Sequence, residues 1–291
     1  MIVITGATGA LNGATVEHLL KLVPADQIGV SVRDVAKAQH LADRGVRVRR
    51  GSYDDPDALR DSFEGAEQVL LVSSNDPTAD AVALHRTAIE AAVAAGARRI
   101  LYTSHQAAGL DSPFPPAGDH AATEALLADT GIAWTSLRNG FYAHSLDWFL
   151  GPWQQTGTIT APADGPVSWT DRADAAEAAA LILAGDRSFE GPITVTAPDA
   201  VTFDDIAQIA STLTGRAIER VVVDDEQWIA DQVAAGSSEA MARMLLTLFQ
   251  ASRQGRFAGV DPLLAELLGR APRSVADLLT DRITGRSHSS H

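Results

Sequence analysis

The chain has 291 residues, 46% of them hydrophobic, with a formal net charge of -14 and no cysteine. That acidity repels a polyanion, so nucleic acid is not an expected partner, and the missing thiols exclude disulfides, thiolate catalysis and a cysteine-ligated metal. No apolar run approaches the roughly 20 residues of a membrane span, and an apolar strand beginning at Ile2 leaves no room for a signal peptide, so a cytoplasmic protein is expected.

Residues 2–5, Ile-Val-Ile-Thr, read as a short strand running into the turn Gly6-Ala7-Thr8-Gly9. Residues 10–22 follow as an amphipathic helix with Val16, Leu19 and Leu20 on one face. Strand, glycine turn and helix in that order open a dinucleotide-binding βαβ unit. Gly6 lets the chain turn tightly, and Gly9, lacking a Cβ, lets backbone approach a pyrophosphate held at the positive end of the helix. Gly6, Thr8, Gly9, Ala10 and Leu11 are therefore the expected phosphate cradle. The third glycine of this fingerprint belongs at position 12, which holds Asn12 with Gly13 beside it. Two outcomes are open there: a slightly displaced first helix, or an Asn12 amide turned to the phosphates.

Further strands are expected at 28–32, 46–49, 68–72, 99–103 and 134–137, with helices between them at 35–43, 57–63, 79–95 and 121–129. Such alternation predicts an α/β fold, a Rossmann-type doubly wound parallel sheet with the nucleotide across the strand carboxyl ends. The second strand ends Ser31-Val32-Arg33-Asp34, so Arg33 stands where an NAD-selective site places an acid. A guanidinium there clamps a 2′-phosphate bidentately, which favours NADPH; NADH stays possible if Asp34 takes the ribose hydroxyls instead. Lys37 offers a second positive contact. Ser52 and Tyr53 fall where adenine is expected, although Tyr53 could equally cap its strand, and the strand ends at Ser73, Thr103 and Asn139 complete the cofactor set.

Beyond Gly151 the pattern breaks into Pro- and Gly-rich loops, followed by a helix at 171–184, a strand at 193–196 and a helix at 203–215. The rest is helical and less regular, with Met241, Met244, Leu245, Leu248 and Phe249 on one helix face. This predicts a dinucleotide domain over 1–150, with returning segments at about 171–196, and a smaller, mainly helical substrate-side lobe over 151–291. The polar tail 285–291 reads as a frayed end, so His288 and His291 are not taken as metal ligands and no metal is expected.

In order and spacing, Thr5-Gly6-Ala7-Thr8-Gly9, Val32-Arg33, Leu71-Val72-Ser73-Ser74, Tyr102-Thr103-Ser104, Leu137-Arg138-Asn139-Gly140-Phe141-Tyr142 and Trp169-Thr170-Asp171-Arg172-Ala173-Asp174 resemble the NmrA-like atypical short-chain dehydrogenase/reductases, above all their bacterial quinone-reducing branch. Ordinary members of that superfamily protonate a carbonyl with a Tyr and a Lys four residues apart; here His120 and Glu124 stand in that region. The resemblance implies direct hydride transfer from NADPH to a quinone or polycyclic quinone-like substrate, for which positioning replaces a strong general acid. His105, His120 and Tyr142 are the candidate catalytic residues, with His144 a further histidine near the substrate mouth. Phe141, Tyr142, Trp148 and Trp153 would form an aromatic wall, with packing between lobe and sheet as the alternative. The quinone-reducing branch carries a Lys where this chain has Ala125, and a Glu-Asn pair where it has His144 and Ser145, which implies a different or larger substrate. Two other roles fit the same residues: the reducing component of an oxygen-dependent, monooxygenase-like hydroxylation in aromatic polyketide biosynthesis, or a non-catalytic NADP-binding redox sensor. The expected partner is a small aromatic or quinone molecule, bound by a monomer or homodimer.

Overall fold

The computed structural model describes residues 1–74, 76 and 78–285. His288 and His291 lie outside the described residues. The first part of the chain runs β1 (Ile2–Thr5), α1 (Ala10–Leu19), β2 (Ile28–Val32), α2 (Gln39–Ala42), β3 (Arg47–Arg50), α3 (Pro56–Ser62), β4 (Gln68–Leu71), α4 (Ala81–Ala94), β5 (Arg99–His105), α5 (Pro115–Ala128) and β6 (Ala133–Asn139). Then come β7 (Phe141–Tyr142), α6 (Trp153–Thr156), β8 (Thr158–Pro162), β9 (Trp169–Thr170), α7 (Arg172–Ala184) and β10 (Gly191–Val195). The chain closes with α8 (Phe203–Thr214), β11 (Glu219–Val223), α9 (Asp225–Ala234), α10 (Glu239–Arg253), α11 (Leu263–Leu268) and α12 (Val275–Thr284).

Seven strands form one sheet in the order β10-β6-β5-β4-β1-β2-β3, and every pairing in it is parallel. Ile2 of β1 sits between Ile28 of β2 and Gln68 of β4, so the strand order reverses there and a crevice opens beyond the carboxyl ends. All residues of β1 and β2 are buried because helices cover both faces, which is why these strands read as apolar runs without alternation. On one face Val16 and Leu19 of α1 pack with Ala179, Ala180, Ile182 and Leu183 of α7. On the other, Leu59, Ala88, Ile89, Ala92 and Leu127 of α3 to α5 form a second layer of core. The edge strand β3 is guarded by its own arginines: Arg47 donates to the carbonyls of Ser62 and Glu64, and Arg49 to that of Asp61.

Several boundaries differ from the sequence expectation. α5 starts at Pro115, not at residue 121, because the prolines opening it preset φ for a first helical turn and have no amide to leave unpaired. The helix expected over 35–43 is a 3₁₀ turn, Val35–Ala38, followed by the single turn of α2. β5 and β6 run on to His105 and Asn139, which face each other in register and so bring two candidate site residues onto the ladder. The lobe also holds parallel pairs that no local pattern announces, β8 with β11 and β7 with β9. Trp153, expected on a substrate wall, is 4% exposed inside the lobe core, whereas Trp148 is 56% exposed. Leu248 and Phe249 are buried there as well, but Met241 from the same expected face is 52% exposed, because that end of α10 extends past its packing partners. No helix among the described residues is long and apolar enough to cross a membrane.

Gly6 has φ +63°, and a Cβ built on it would lie 2.7 Å from Val72 Cγ1. The substitution Gly6→Ala is therefore expected to destabilise the fold by about 1–3 kcal/mol, read as a lower urea midpoint with an unchanged slope.

Candidate active site

The crevice begins at the glycine turn. The Gly6 carbonyl accepts the Gly9 amide at 2.9 Å, which folds Thr8 and Gly9 outward at the N-terminus of α1. A Cβ at Gly9 would stand 3.2 Å from that same carbonyl, so the cradle depends on its absence. Helices α3, α4, α7, α8, α9, α10 and α12 all have a side-chain cap, and the proline-opened α5 has fewer amides to satisfy. α1 has no side-chain cap and no acid in its first turn, so its leading amides are free to meet an anion. Asn12 does not join them. It is 1% exposed and its Nδ2 donates to the Thr5 carbonyl at 2.8 Å, so of the two open outcomes the turn toward the phosphates is not the one adopted: position 12 faces β1 from the inner side of the helix.

Arg33, just past β2, is exposed, and no ion pair or hydrogen bond holds it among the described residues; Asp54 and Asp76 are close enough only to feel its charge. Asp34 is committed elsewhere, since its carboxylate caps the following 3₁₀ turn by accepting the Ala36 amide at 3.0 Å. The Tyr53 hydroxyl is also committed, donating to the Val72 carbonyl at 2.9 Å and meeting Thr5 Oγ1 at 2.7 Å. It thus braces β1 against the end of β4, with only its ring left to meet a ligand. Ser73 donates its amide to Thr103 Oγ1 at 2.9 Å, locking the ends of β4 and β5 together. At the end of β6, Asn139 Nδ2 donates to the Tyr142 hydroxyl at 3.1 Å, while its Oδ1 is buried with no partner. The uncapped α1 N-terminus, the Arg33 guanidinium and the Asn139 side-chain carbonyl all lie at strand carboxyl ends, where a doubly wound sheet binds its ligand.

The candidate catalytic residues divide. His105 and His120 stack, with ring centroids 6.1 Å apart. His105 is packed among Phe114, Phe141 and Phe257 at 5.4 to 5.5 Å, and its Nδ1 accepts the Ala107 amide at 3.1 Å. Phe257 reaches this cluster from the lobe because its carbonyl takes hydrogen bonds from Gln106 Nε2 and from the Ser168 amide. Tyr142 stands apart: it stacks on His144 at 5.8 Å, and burial pushes its hydroxyl up to about 12, so it stays protonated. His144 turns to Arg172, 3.4 Å from Nη1, apart from the His105–His120 pair, and burial with that guanidinium lowers its pKa. Glu124, in the region of the absent Tyr-Lys pair, is 6% exposed and structural. Its carboxylate accepts from Ser104 at 2.8 Å, Ser136 at 2.7 Å, and Arg138 through Nε at 3.0 Å and Nη2 at 2.5 Å. Burial raises its pKa, and these donors together outweigh burial and hold it below the ordinary glutamate value.

Burial lowers His120 and His85 to about 4 and His105 to about 3, so all three are neutral near pH 7 and none is an imidazolium donor. A histidine whose folded pKa lies below its unfolded value of 6.5 gives full stability above that value and loses it as pH falls toward the folded pKa. Between about pH 6.5 and 4 each of the buried pair His85 and His120 should remove about 1.4 kcal/mol per pH unit, a steep fall in urea midpoint that His85→Gln would make shallower. A flat midpoint over that window would show that both are protonated in the folded state.

A cavity of about 880 Å³ lies against the turn at Ala7 to Ala10 but takes in none of Arg33, Ser73, Thr103 or Asn139. Its walls carry Lys37, Arg172, Arg273 and Arg282 against Glu17, Asp147, Asp171 and Asp281, with Arg282 2.9 Å from Asp147. Lys37 thus faces this cavity, away from Arg33. Balanced charge gives it no preference for an anion, and the strand-end crevice is the better dinucleotide site.

The parallel sheet, the uncapped helix after a glycine turn and the cationic end of β2 define a dinucleotide-binding α/β protein. The chain belongs to the NmrA-like family, whose model matches residues 1–266. It is 35% identical to quinone oxidoreductase 2 of Escherichia coli over 281 residues, 95% of this chain and 96% of that protein. The crystal structure of the E. coli enzyme complexed with NADPH superposes with a TM-score of 0.89 at 33% identity, covering 97% of this chain and 100% of the other. Triphenylmethane reductase from Citrobacter sp., complexed with NADP(H), gives a TM-score of 0.88 at 32% identity over 97% and 99% of the two chains.

Proposed function

We propose that this protein is an NADPH-dependent oxidoreductase that reduces quinones and related planar aromatic acceptors. The observation that carries the reading is the exposed Arg33 at the end of β2, unpaired among the described residues, beside an α1 N-terminus with no side-chain cap. A carboxylate at Arg33 would repel a 2′-phosphate, and Asp34, already used as a cap, does not compete for the ribose. The similarity to a quinone oxidoreductase and a dye reductase supports the acceptor class.

Within this reading Gly6, Thr8, Gly9, Ala10 and Leu11 form the turn that holds the pyrophosphate on the leading amides of α1, with the Gly9 amide kept by the Gly6 carbonyl. Arg33 holds the 2′-phosphate, the Tyr53 ring lies toward the adenine, and Ser73, Thr103 and Asn139 border the nicotinamide half. When bound, the reduced nicotinamide supplies a hydride. The protein's task is then to hold the acceptor within roughly 3–3.5 Å of it and to keep water out. Phe114, Phe141 and Phe257 surround neutral His105 with closely packed aromatic rings that keep water from it. His120, neutral and partnered only through Nδ1, is the group we assign to the substrate oxygen. Tyr142, protonated and held by Asn139, helps to shape the wall and stays outside proton transfer.

NADPH oxidation with benzoquinone, naphthoquinone and a triphenylmethane dye is the direct assay, with calorimetric titration of NADPH alongside. Turnover with at least one acceptor is expected. Tight NADPH binding with no turnover on any of them would favour the sensor role, and substrate-dependent oxygen uptake would favour the monooxygenase-like role.

A further inference from the structure

Beneath the crevice lies a buried polar chain that the reading above leaves unused. Tyr102 of β5 is fully buried, between the rings of His85 on α4 at 5.3 Å and His120 on α5 at 5.7 Å. Hydrogen bonding fixes the state of His85. Thr123 spends its one hydroxyl proton on the Asp119 carbonyl at 2.7 Å, so it accepts from His85 Nδ1 at 2.8 Å. That leaves His85 Nε2 bare, and it accepts the Ser74 amide at 2.8 Å. Both nitrogens of His85 are thus committed, and it serves as a strut for the chain leaving β4.

His120 differs. Its Nδ1 meets the Tyr102 hydroxyl at 2.9 Å, and no other hydrogen bond holds it among the described residues. Its ring faces His105 and lies near His85 and Glu124, and burial keeps it neutral. Burial also keeps the Tyr102 proton in place, with the hydroxyls of Ser73 and Thr123 against it. The 2.9 Å contact accommodates a resting state in which Tyr102 O–H donates to His120 Nδ1 and the His120 proton sits on Nε2, and a proton relay from Nε2 requires that state. A neutral imidazole releases its Nε2 proton readily only if Nδ1 gains another at the same time.

We propose that Tyr102 is the relay residue through which His120 passes the proton of the reduction. This rests on the reductase reading. The His120 Nε2–H bond breaks as an O–H bond forms on the reduced acceptor, and the Nδ1–H bond forms as the Tyr102 O–H bond breaks. Tyr102 recovers a proton from the half-buried Ser73 hydroxyl beside it, which must turn from the Ser74 carbonyl it meets at 3.4 Å and which recovers its own from solvent. The hydride and its electron pair come from the reduced nicotinamide, so one hydride and one proton reach the acceptor and no protein group ends charged; once product leaves, His120 Nε2 takes a solvent proton while the Nδ1 proton returns to Tyr102 and one proton leaves through Ser73, which restores the resting tautomer. Where the Tyr-Lys pair of ordinary short-chain dehydrogenases is absent, a strand tyrosine beneath a helix histidine would do its work.

The test is Tyr102→Phe in the full chain, with three readouts. For a quinone reduced by the unmodified protein, kcat should fall roughly a hundredfold. NADPH affinity by calorimetry should stay within about twofold, because Tyr102 does not face the phosphate cradle. The curved dependence of rate on deuterium content, expected while several protons move together, should become linear. Ring ¹⁵N shifts should place the His120 proton on Nε2 in the unmodified protein and on a mixture of both nitrogens in the variant. Unchanged kcat with an unchanged isotope profile overturns the relay and leaves the reductase reading standing. No turnover by the unmodified protein overturns both. If Tyr102→Phe does not fold, 3-fluorotyrosine at position 102 keeps the hydroxyl while raising its acidity; an unchanged rate would then sink the relay.

Discussion

Replacing Glu124 with alanine should cost about 3–5 kcal/mol of folding stability, as much as truncating a large buried core residue. The carboxylate is 6% exposed and accepts four hydrogen bonds, two of them from Arg138. Removing it strands a partly buried guanidinium and two buried hydroxyls on adjacent strands, and the cost is chiefly that of leaving those groups unmatched. Adding Arg138→Ala should therefore recover part of the loss, an outcome additive independent sites would not give. Glu124→Gln, which keeps an acceptor but loses the charge, should fall between. Urea unfolding near pH 7.5 measures all three, and a loss below about 1 kcal/mol for Glu124→Ala would show that the pair is dispensable.

Arg33→Ala should weaken NADPH binding by roughly 10- to 100-fold, equivalent to about 1.5–3 kcal/mol of charge-assisted hydrogen bonding, and change NADH binding by no more than about twofold. The asymmetry is the informative part, since only one of the two nucleotides carries the 2′-phosphate. Stability should hardly move, because Arg33 is exposed and ties down nothing in the fold. Paired calorimetric titrations decide it. Equal weakening of both nucleotides would mean that Arg33 acts on the shared part of the molecule, and no weakening would place the selecting cation elsewhere.

Legibility followed the range of the physics. The glycine turn, the strand that feeds it and the arginine that ends β2 are local features, and the crevice is assembled from them where the sequence puts them. Asn12 was harder to read: only the rotation of α1 against β1 decides whether position 12 faces a ligand or a strand. The histidines were visible as residue types, but their charge was not, because neutrality near pH 7 comes from burial that no spacing encodes. Phe257 could not be found from pattern at all, since its ring meets His105 only because its carbonyl accepts from Gln106, 151 residues away in the chain.

By itself, then, the sequence determined the alternation of strands and helices, the parallel doubly wound class and the glycine turn that opens the first βαβ unit, because periodicity and glycine stereochemistry act over a few residues. Tertiary structure alone decided that Glu124 is a buried anchor and that Tyr102 lies between two histidines. It also decided that the lobe adds an aromatic ring to the crevice. Hydrogen-bond partners and desolvation are properties of neighbours in space, and the chain brings those neighbours together only once the sheet has closed.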